Sequence, residues 1–249
     1  MKYKALFLDL DGTTIPNKPD GMPSKRVTDA IHKAKPYIHV CIATSRPLFL
    51  AKQILDHLDI SGLCVVNDAT QIYSPSEKKF LQTFYLEKSI IPDIVSIIKN
   101  NKLSPVFNTG DDERILKVED INKNICVVFV NTMPPKVADK LISELSIFSN
   151  IAVHKIPSWT KGEICVSITH SSATKLHGVT TISEMLNINP KEMIGVGDGY
   201  NDFPLLMACG LKIAMGNAVL ELKAIADFIA PSVEEDGVAT VIEKFILAF

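Results

Sequence analysis

The stretch Tyr3 to Leu10 is apolar almost without interruption until Asp9, and it runs straight into Asp9-Leu10-Asp11-Gly12. A strand with one wet face alternates polar and apolar side chains, whereas a strand covered on both faces has no wet side to show. This run therefore predicts a strand of a parallel sheet covered on both faces. Parallel neighbours cannot be joined by a tight turn, so the chain must cross over, usually through a helix. The following residues supply the crossovers. Ser24 is a candidate N-cap for a helix with Val27, Ala30, Ile31 and Ala34 at helical spacing, stopped by Pro36. Ile38 to Ala43 reads as a second strand ending at Thr44, Pro47 opens a helix through Leu58, and Leu63 to Val66 reads as a third strand. The series favours a parallel sheet with right-handed crossovers.

After Asn67 the rhythm changes. Gln71 to Tyr73 and Phe80 to Tyr85 flank Ser-Pro-Ser-Glu as a hairpin would. Glu87 to Lys99 reads as a helix, Val106 to Asn108, Arg114 to Val118 and Cys126 to Val130 as strands, and Pro135 to Phe148 as a helix. Strands Ile151 to Ile156 and Glu163 to Ile168 complete a small α+β unit. From Ser171 the α/β alternation returns: helix Thr174 to Leu186, strand Met193 to Val196, helix Phe203 to Cys209, strand Ile213 to Met215, helix Ala218 to Ile225. The expected fold is α/β, a Rossmann-like parallel sheet core from residues 1–85 and 169–249, with residues 86–168 inserted as an α+β cap. A chain of 249 residues, 47% hydrophobic, can bury such a core.

Several function classes recede on composition. A formal charge of -2 gives no positive field for nucleic acid or an acidic membrane, and no Lys/Arg-rich tract stands out. The five cysteines, Cys41, Cys64, Cys126, Cys165 and Cys209, are scattered through mostly apolar runs without a C-x-x-C pair, and read as buried, reduced thiols. The run Ala5 to Leu8 is too short for a signal-peptide core, and no later stretch spans a bilayer. The expectation is a cytoplasmic protein, a monomer or small homo-oligomer, that acts on a small molecule.

In open parallel sheets, ligands bind beyond the carboxyl ends of the strands. The residues there are unusually polar: Asp9 and Asp11 after the first strand, Thr44, Ser45 and Arg46 after the second, and Gly197-Asp198-Gly199-Tyr200-Asn201-Asp202 after Met193 to Val196. Lys175 starts the helix entered through Ser171-Ser172. Taken alone, Asp-x-Asp-Gly is also an ordinary turn sequence, and a lone helix lysine is ordinarily solvated. A calcium loop fails, because from Asp9 position five is Thr13 and position twelve is Asp20, and from Asp198 position twelve is Cys209. Gly195-Val-Gly197-Asp-Gly199 lacks the dinucleotide G-x-G-x-x-G spacing and sets an aspartate where a pyrophosphate would approach. Electrostatics favours a site. Asp9, Asp11, Asp198 and Asp202 are expected to converge on one sheet edge, and unit charges about 4 Å apart repel by roughly 4 kcal/mol at an effective dielectric of about 20. A few such pairs rival the stability of a domain. A cation should sit among them. With oxygen ligands and no His or Cys cluster, a hard ion is indicated, and Mg²⁺ that keeps waters and takes a substrate phosphate oxygen fits a site of few carboxylates.

Four motifs in order, FLDLDGTT at Phe7 to Thr14, IATSRP at Ile42 to Pro47, ATKLHGV around Lys175 and GVGDGYND at Gly195 to Asp202, resemble the haloacid dehalogenase-like phosphatase superfamily over the whole chain. The insertion and the late AMGNA at Ala214 to Ala218 resemble its type IIB-capped, Cof-like branch. Ser45 and Asp68 stand where glycine is common in that pattern. The resemblance implies a Mg²⁺-dependent phosphatase for a small phosphorylated metabolite. Asp9 would be the nucleophile that forms an aspartyl phosphate, and Asp11 the general acid and base. Asp9, the Asp11 main-chain carbonyl and Asp198 would hold the ion, supported by Asp202, while Thr44, Lys175, Asn201 and the Leu10 and Ser45 amides hold phosphoryl oxygens. A phosphotransferase or sugar phosphomutase is the alternative within the superfamily, and a non-catalytic metal-dependent binding protein the alternative outside enzymes. In the cap, Trp159 has two readings: packing within its own hairpin, the ordinary use of a large aromatic, or contact with the leaving group.

Overall fold

The apolar run becomes β1 (Ala5–Leu8), with all four residues buried, in a computed structural model that describes residues 2–110, 115–116 and 123–248. Then come α1 (Lys25–Ala34), β2 (His39–Ile42), α2 (Leu48–His57), β3 (Cys64–Val66), β4 (Gln71–Ser74) and β5 (Lys79–Thr83). The middle of the chain forms α3 (Ile91–Asn100), β6 (Pro105–Asn108), β7 (Ile115–Leu116), β8 (Val127–Met133), α4 (Pro135–Leu145), β9 (Ile151–Pro157) and β10 (Ile164–His170). The last part is α5 (Lys175–Leu186), β11 (Met193–Gly197), α6 (Phe203–Ala208), β12 (Leu211–Ala214), α7 (Leu220–Ile225), β13 (Phe228–Ile229) and α8 (Gly237–Phe245).

The core sheet has the order β13-β12-β11-β1-β2, with every pairing parallel. β1 lies in the middle, so its carboxyl end opens beside those of β2 and β11. Ser24 caps α1 as expected, its Oγ accepting from the Val27 amide at 3.1 Å. The second sheet, β7-β6-β8-β10-β9, is antiparallel, and helices α3 and α4 share its hydrophobic cluster, which includes Ile94, Phe107, Val128, Leu141 and Val166. That cluster is separate from the one around β1. The chain returns from β10 to α5 through four residues, so the second sheet lies close to the carboxyl edge of the first.

The third strand departs from expectation. β3 meets the parallel sheet only through the bridge Ala43–Val65 and pairs antiparallel with β4, forming a three-stranded sheet with β5. The cause is local. Asn67, Asp68 and Ala69 all take left-handed φ angles of 56°, 53° and 61°, which reverse the chain at once into β4. The predicted helix at Glu87 begins instead at Ile91, with Pro92 in its first turn, where the missing N–H costs nothing. Of the predicted strand Arg114 to Val118, only Ile115–Leu116 is described; Arg114, Lys117 and Val118 lie outside the described residues. β13 and α8 are additional to the predicted elements. α8 buries Val238, Val241 and Ile242 and is tied to α1 by Arg26–Glu243 at 2.8 Å. Four cysteines are buried and outside any disulfide, while Cys165 is partly exposed. Among the described residues, no helix is long and apolar enough to cross a membrane.

Candidate active site

Asp9 follows β1 directly, its amide donating to the Val196 carbonyl of β11 at 3.0 Å. The next turn is wound on one acceptor: the amides of Thr13, Thr14 and Ile15 all donate to the Leu10 carbonyl at 2.8–3.1 Å. Gly12 makes the turn possible. Its φ is +77°, and a Cβ there would lie 2.3 Å from Asp198 Oδ2. Thr13 Oγ1 donates to Asp198 Oδ1 at 2.7 Å, and Asn217 Nδ2 donates to the Gly12 carbonyl at 2.8 Å. The β1 and β11 loops are thereby locked together.

Lys175, capped into the first turn of α5 by Thr174, reaches back under this junction. Its Nζ donates to Asp9 Oδ1 and to Asp202 Oδ1, each at 2.6 Å. Asp202 Oδ2 accepts from the amides of Asp198 and Gly199, both at 2.9 Å. One carboxylate oxygen from each of Asp9, Asp198 and Asp202 lies within 4.8 Å of the others. Burial, then the Asp202 charge, pushes the Asp9 carboxyl up to about 7, against the pull of Lys175. Burial, then Asp202 and Asp9, pushes Asp198 well above the carboxylate range. Burial alone would lower the Lys175 ammonium, yet Asp202 and Asp9 outweigh it and raise it. Lys175 therefore stays charged, and with all three carboxyl groups ionised one ammonium would leave a deficit of two positive charges; burial and this deficit together make Asp9 and Asp198 hold their protons more tightly. The donors are all oxygen. A divalent cation fits both the deficit and the donor set, and the cluster could hold one.

Asp11 does not join this group, contrary to the expected convergence of four aspartates. Its carboxylate takes a bidentate pair from Arg46, Nε to Oδ2 at 2.8 Å and Nη2 to Oδ1 at 2.6 Å. Arg46 is itself held by the carbonyls of Lys18 and Pro19. The reason is charge and geometry: the buried fork satisfies both Asp11 oxygens at once, away from the other carboxylates. Trp159, from the turn between β9 and β10, adds a third donor, Nε1 to Asp11 Oδ1 at 3.3 Å. Its ring lies 5.4 Å from the Arg46 guanidinium. Trp159 is 46% exposed and lies outside the hydrophobic cluster of its own sheet.

These groups open on one cavity of about 300 Å³. Asp9, Asp11, Thr44, Ser45, Asp198 and Asn201 line its floor, and Asn201 Nδ2 donates to Ser45 Oγ at 3.2 Å. Thr44 Oγ1 accepts from the Arg46 amide at 3.1 Å. Val127, Phe129, Ile156 and Trp159 of the second sheet form the roof. Lys175 and Asp202 sit behind Asp9, and Leu10 is buried in the turn; none of these three lines the cavity. Sequence reasoning left Arg46 without a role and did not single out Asn217 or Thr13. Arg46 had a signal, as a cation directly beyond the second strand. Asp68, on the same wall, accepts from Ser167 Oγ of β10 at 2.7 Å.

A buried acidic cluster beneath a cavity, at the carboxyl edge of a parallel sheet, is the layout of a catalytic α/β domain rather than of a docking surface. Residues 6–143 and 111–242 match the haloacid dehalogenase-like hydrolases, and the chain belongs to that family. A Bacillus subtilis protein named "Putative phosphatase YkrA" is 27% identical over 98% of both chains. Among solved structures, a haloacid dehalogenase-like hydrolase from B. subtilis superposes with a TM-score of 0.84 at 18% identity, covering 97% of this chain and 99% of that one. The subclass IIB sugar phosphatase BT4131 does so with a TM-score of 0.83 at 18% identity, covering 97% and 98%. The chain is an enzyme of the phosphatase class.

Proposed function

We propose that this enzyme is a Mg²⁺-dependent phosphatase for small phosphorylated metabolites, sugar phosphates or similar esters, working through an aspartyl phosphate on Asp9. The observation that carries this reading is the separation of two carboxylates two residues apart. Asp9 is fixed by Lys175 inside the acidic cluster, and Asp11 stands outside it with neighbours of its own. In this reading Asp9 attacks and Asp11 transfers the proton.

In the first step a carboxylate oxygen of Asp9 attacks phosphorus. The bond from phosphorus to the leaving oxygen breaks, and Asp11 gives that oxygen a proton. In the second step Asp11 takes a proton from water as the water oxygen attacks phosphorus, and the Asp9–phosphorus bond breaks to free inorganic phosphate. Thr44, Asn201 and the Leu10 and Ser45 amides hold the phosphoryl oxygens, and Lys175 holds Asp9 in place. Mg²⁺, held by Asp9, the Asp11 main-chain carbonyl and Asp198 with Asp202 behind, would supply charge neutralisation on the phosphoryl group. Residues 86–168 act as the lid that chooses the alcohol and sheds water from the site. The similarity to a sugar phosphatase supports this substrate class, and cysteines outside any disulfide suit the cytoplasm.

The test is phosphate release over a panel of sugar, nucleoside and cofactor phosphate esters with Mg²⁺. Catalytic release from some of them, abolished in Asp9→Asn, is expected. Retained activity in Asp9→Asn sinks the covalent route, and phosphate transfer to a second sugar with little free phosphate turns the reading to a phosphomutase.

A further inference from the structure

The turn between β9 and β10 is built to hold one side chain still. The Ser158 amide donates to the Glu163 carbonyl at 3.0 Å, and the Glu163 amide to the Thr160 carbonyl at 3.1 Å. Ser158 Oγ accepts from the Thr160 amide at 3.0 Å and lies 2.7 Å from Thr132 Oγ1 of β8. From this braced turn Trp159 leans across the cavity to the core sheet. Indole has a single polar atom, a donor, and that donor is committed to Asp11 rather than to the open space beside it. The ring stacks over the guanidinium that grips the same carboxylate from the other side.

We infer that Trp159 is a positioning residue for Asp11: the lid fixes the orientation of the proton-transferring carboxylate through one indole N–H. This rests on the reading of Asp11 as that group. The geometry explains why a large aromatic should stay half exposed on a turn. It also links lid and chemistry. Arg46 belongs to the core and holds Asp11 whether or not the lid is seated, whereas the indole contact exists only when the β9–β10 turn lies over the site. Proton transfer then reaches full efficiency only with the cavity roofed.

Trp159→Phe keeps the ring over Arg46 and deletes only the donor. The readout is kcat/KM for two substrates, an alkyl phosphate, whose leaving oxygen needs a proton, and p-nitrophenyl phosphate, whose leaving oxygen does not. This quantity reports the step that expels the alcohol and is blind to the later hydrolysis. Trp159→Phe should lower kcat/KM about tenfold for the alkyl ester, the scale of one hydrogen bond to a charged group, and under twofold for the nitrophenyl ester. In an Asp11→Asn background the same change should add nothing. Equal losses on both esters, no loss on either, or an undiminished loss in Asp11→Asn would overturn the assignment. If Asp11→Asn itself leaves the alkyl ester's kcat/KM intact, the reading of Asp11 fails instead.

Discussion

Replacing Lys175 by methionine removes the cation that pairs with Asp9 and Asp202 while keeping most of the side-chain volume. Lys175 Nζ lies 2.6 Å from both Asp9 and Asp202, and the three side chains are at most 7% exposed. Taking one partner from a buried ion pair costs about 3–5 kcal/mol, because the other charge stays buried and uncompensated. For a protein of this size each kcal/mol moves Tm by about 2–4 °C, so metal-free Lys175→Met should melt about 6–20 °C below the parent at pH 7.5 by circular dichroism. The pH dependence has a definite sign. The Asp9 carboxyl is raised from 3.8 to about 7, so between those values the folded protein holds more protons than the unfolded one. Its burial penalty is then full above about pH 7 and is relieved as pH falls toward 4. Lys175 stays charged throughout, and its removal exposes that penalty in full, so the deficit of the variant should shrink from pH 8 to pH 5. A Tm change below 2 °C in metal-free buffer, or a deficit that widens on acidification, would refute the argument.

The same cluster predicts that excess chelator abolishes phosphate release and Mg²⁺ restores it, with a rise in Tm on Mg²⁺ addition; full activity in chelator would disprove metal dependence. Ca²⁺, with its longer and looser oxygen shell, should bind yet support little turnover, as a competition assay would reveal. Asp11→Asn should slow turnover of alkyl esters by roughly 10²-fold to 10⁴-fold, and a loss under tenfold counts against its proton-transfer role. Gly12→Ala combines a left-handed φ of +77° with a Cβ 2.3 Å from Asp198 Oδ2. It should therefore weaken metal affinity by an order of magnitude or more in calorimetric titration, and unchanged affinity would mean that Asp198 is not held by this contact.

What could be read ahead of the structure was whatever depends on position along the chain. β1 is apolar on both faces because all four of its residues are buried in the core, and that burial is written in Ala5 to Leu8 without reference to anything distant. Asp9 and Asp198 follow their strands directly and Thr44 comes one residue further on, so a parallel sheet must bring them to one edge whatever the loops do. What could not be read was direction. Asp11 is two residues from Asp9, yet its carboxylate turns to Arg46 because a fork with two donors is available there, and nothing in Asp-Leu-Asp-Gly says which way a side chain will face. The reversal at Asn67-Asp68-Ala69 was hidden for a related reason. Three left-handed residues in a row, one of them alanine, run against local preference and persist only where tertiary contacts over-determine them. One such contact is visible: Asp68 is gripped by Ser167 from β10, ninety-nine positions later. Trp159 is the extreme case. Its role depends on the register of β9 against β10, on a turn braced through β8, and on that whole sheet lying over the β1 edge. A hairpin tryptophan packed on its own domain and one that donates to Asp11 across the cavity are written with the same letters, and only the long-range geometry separates them.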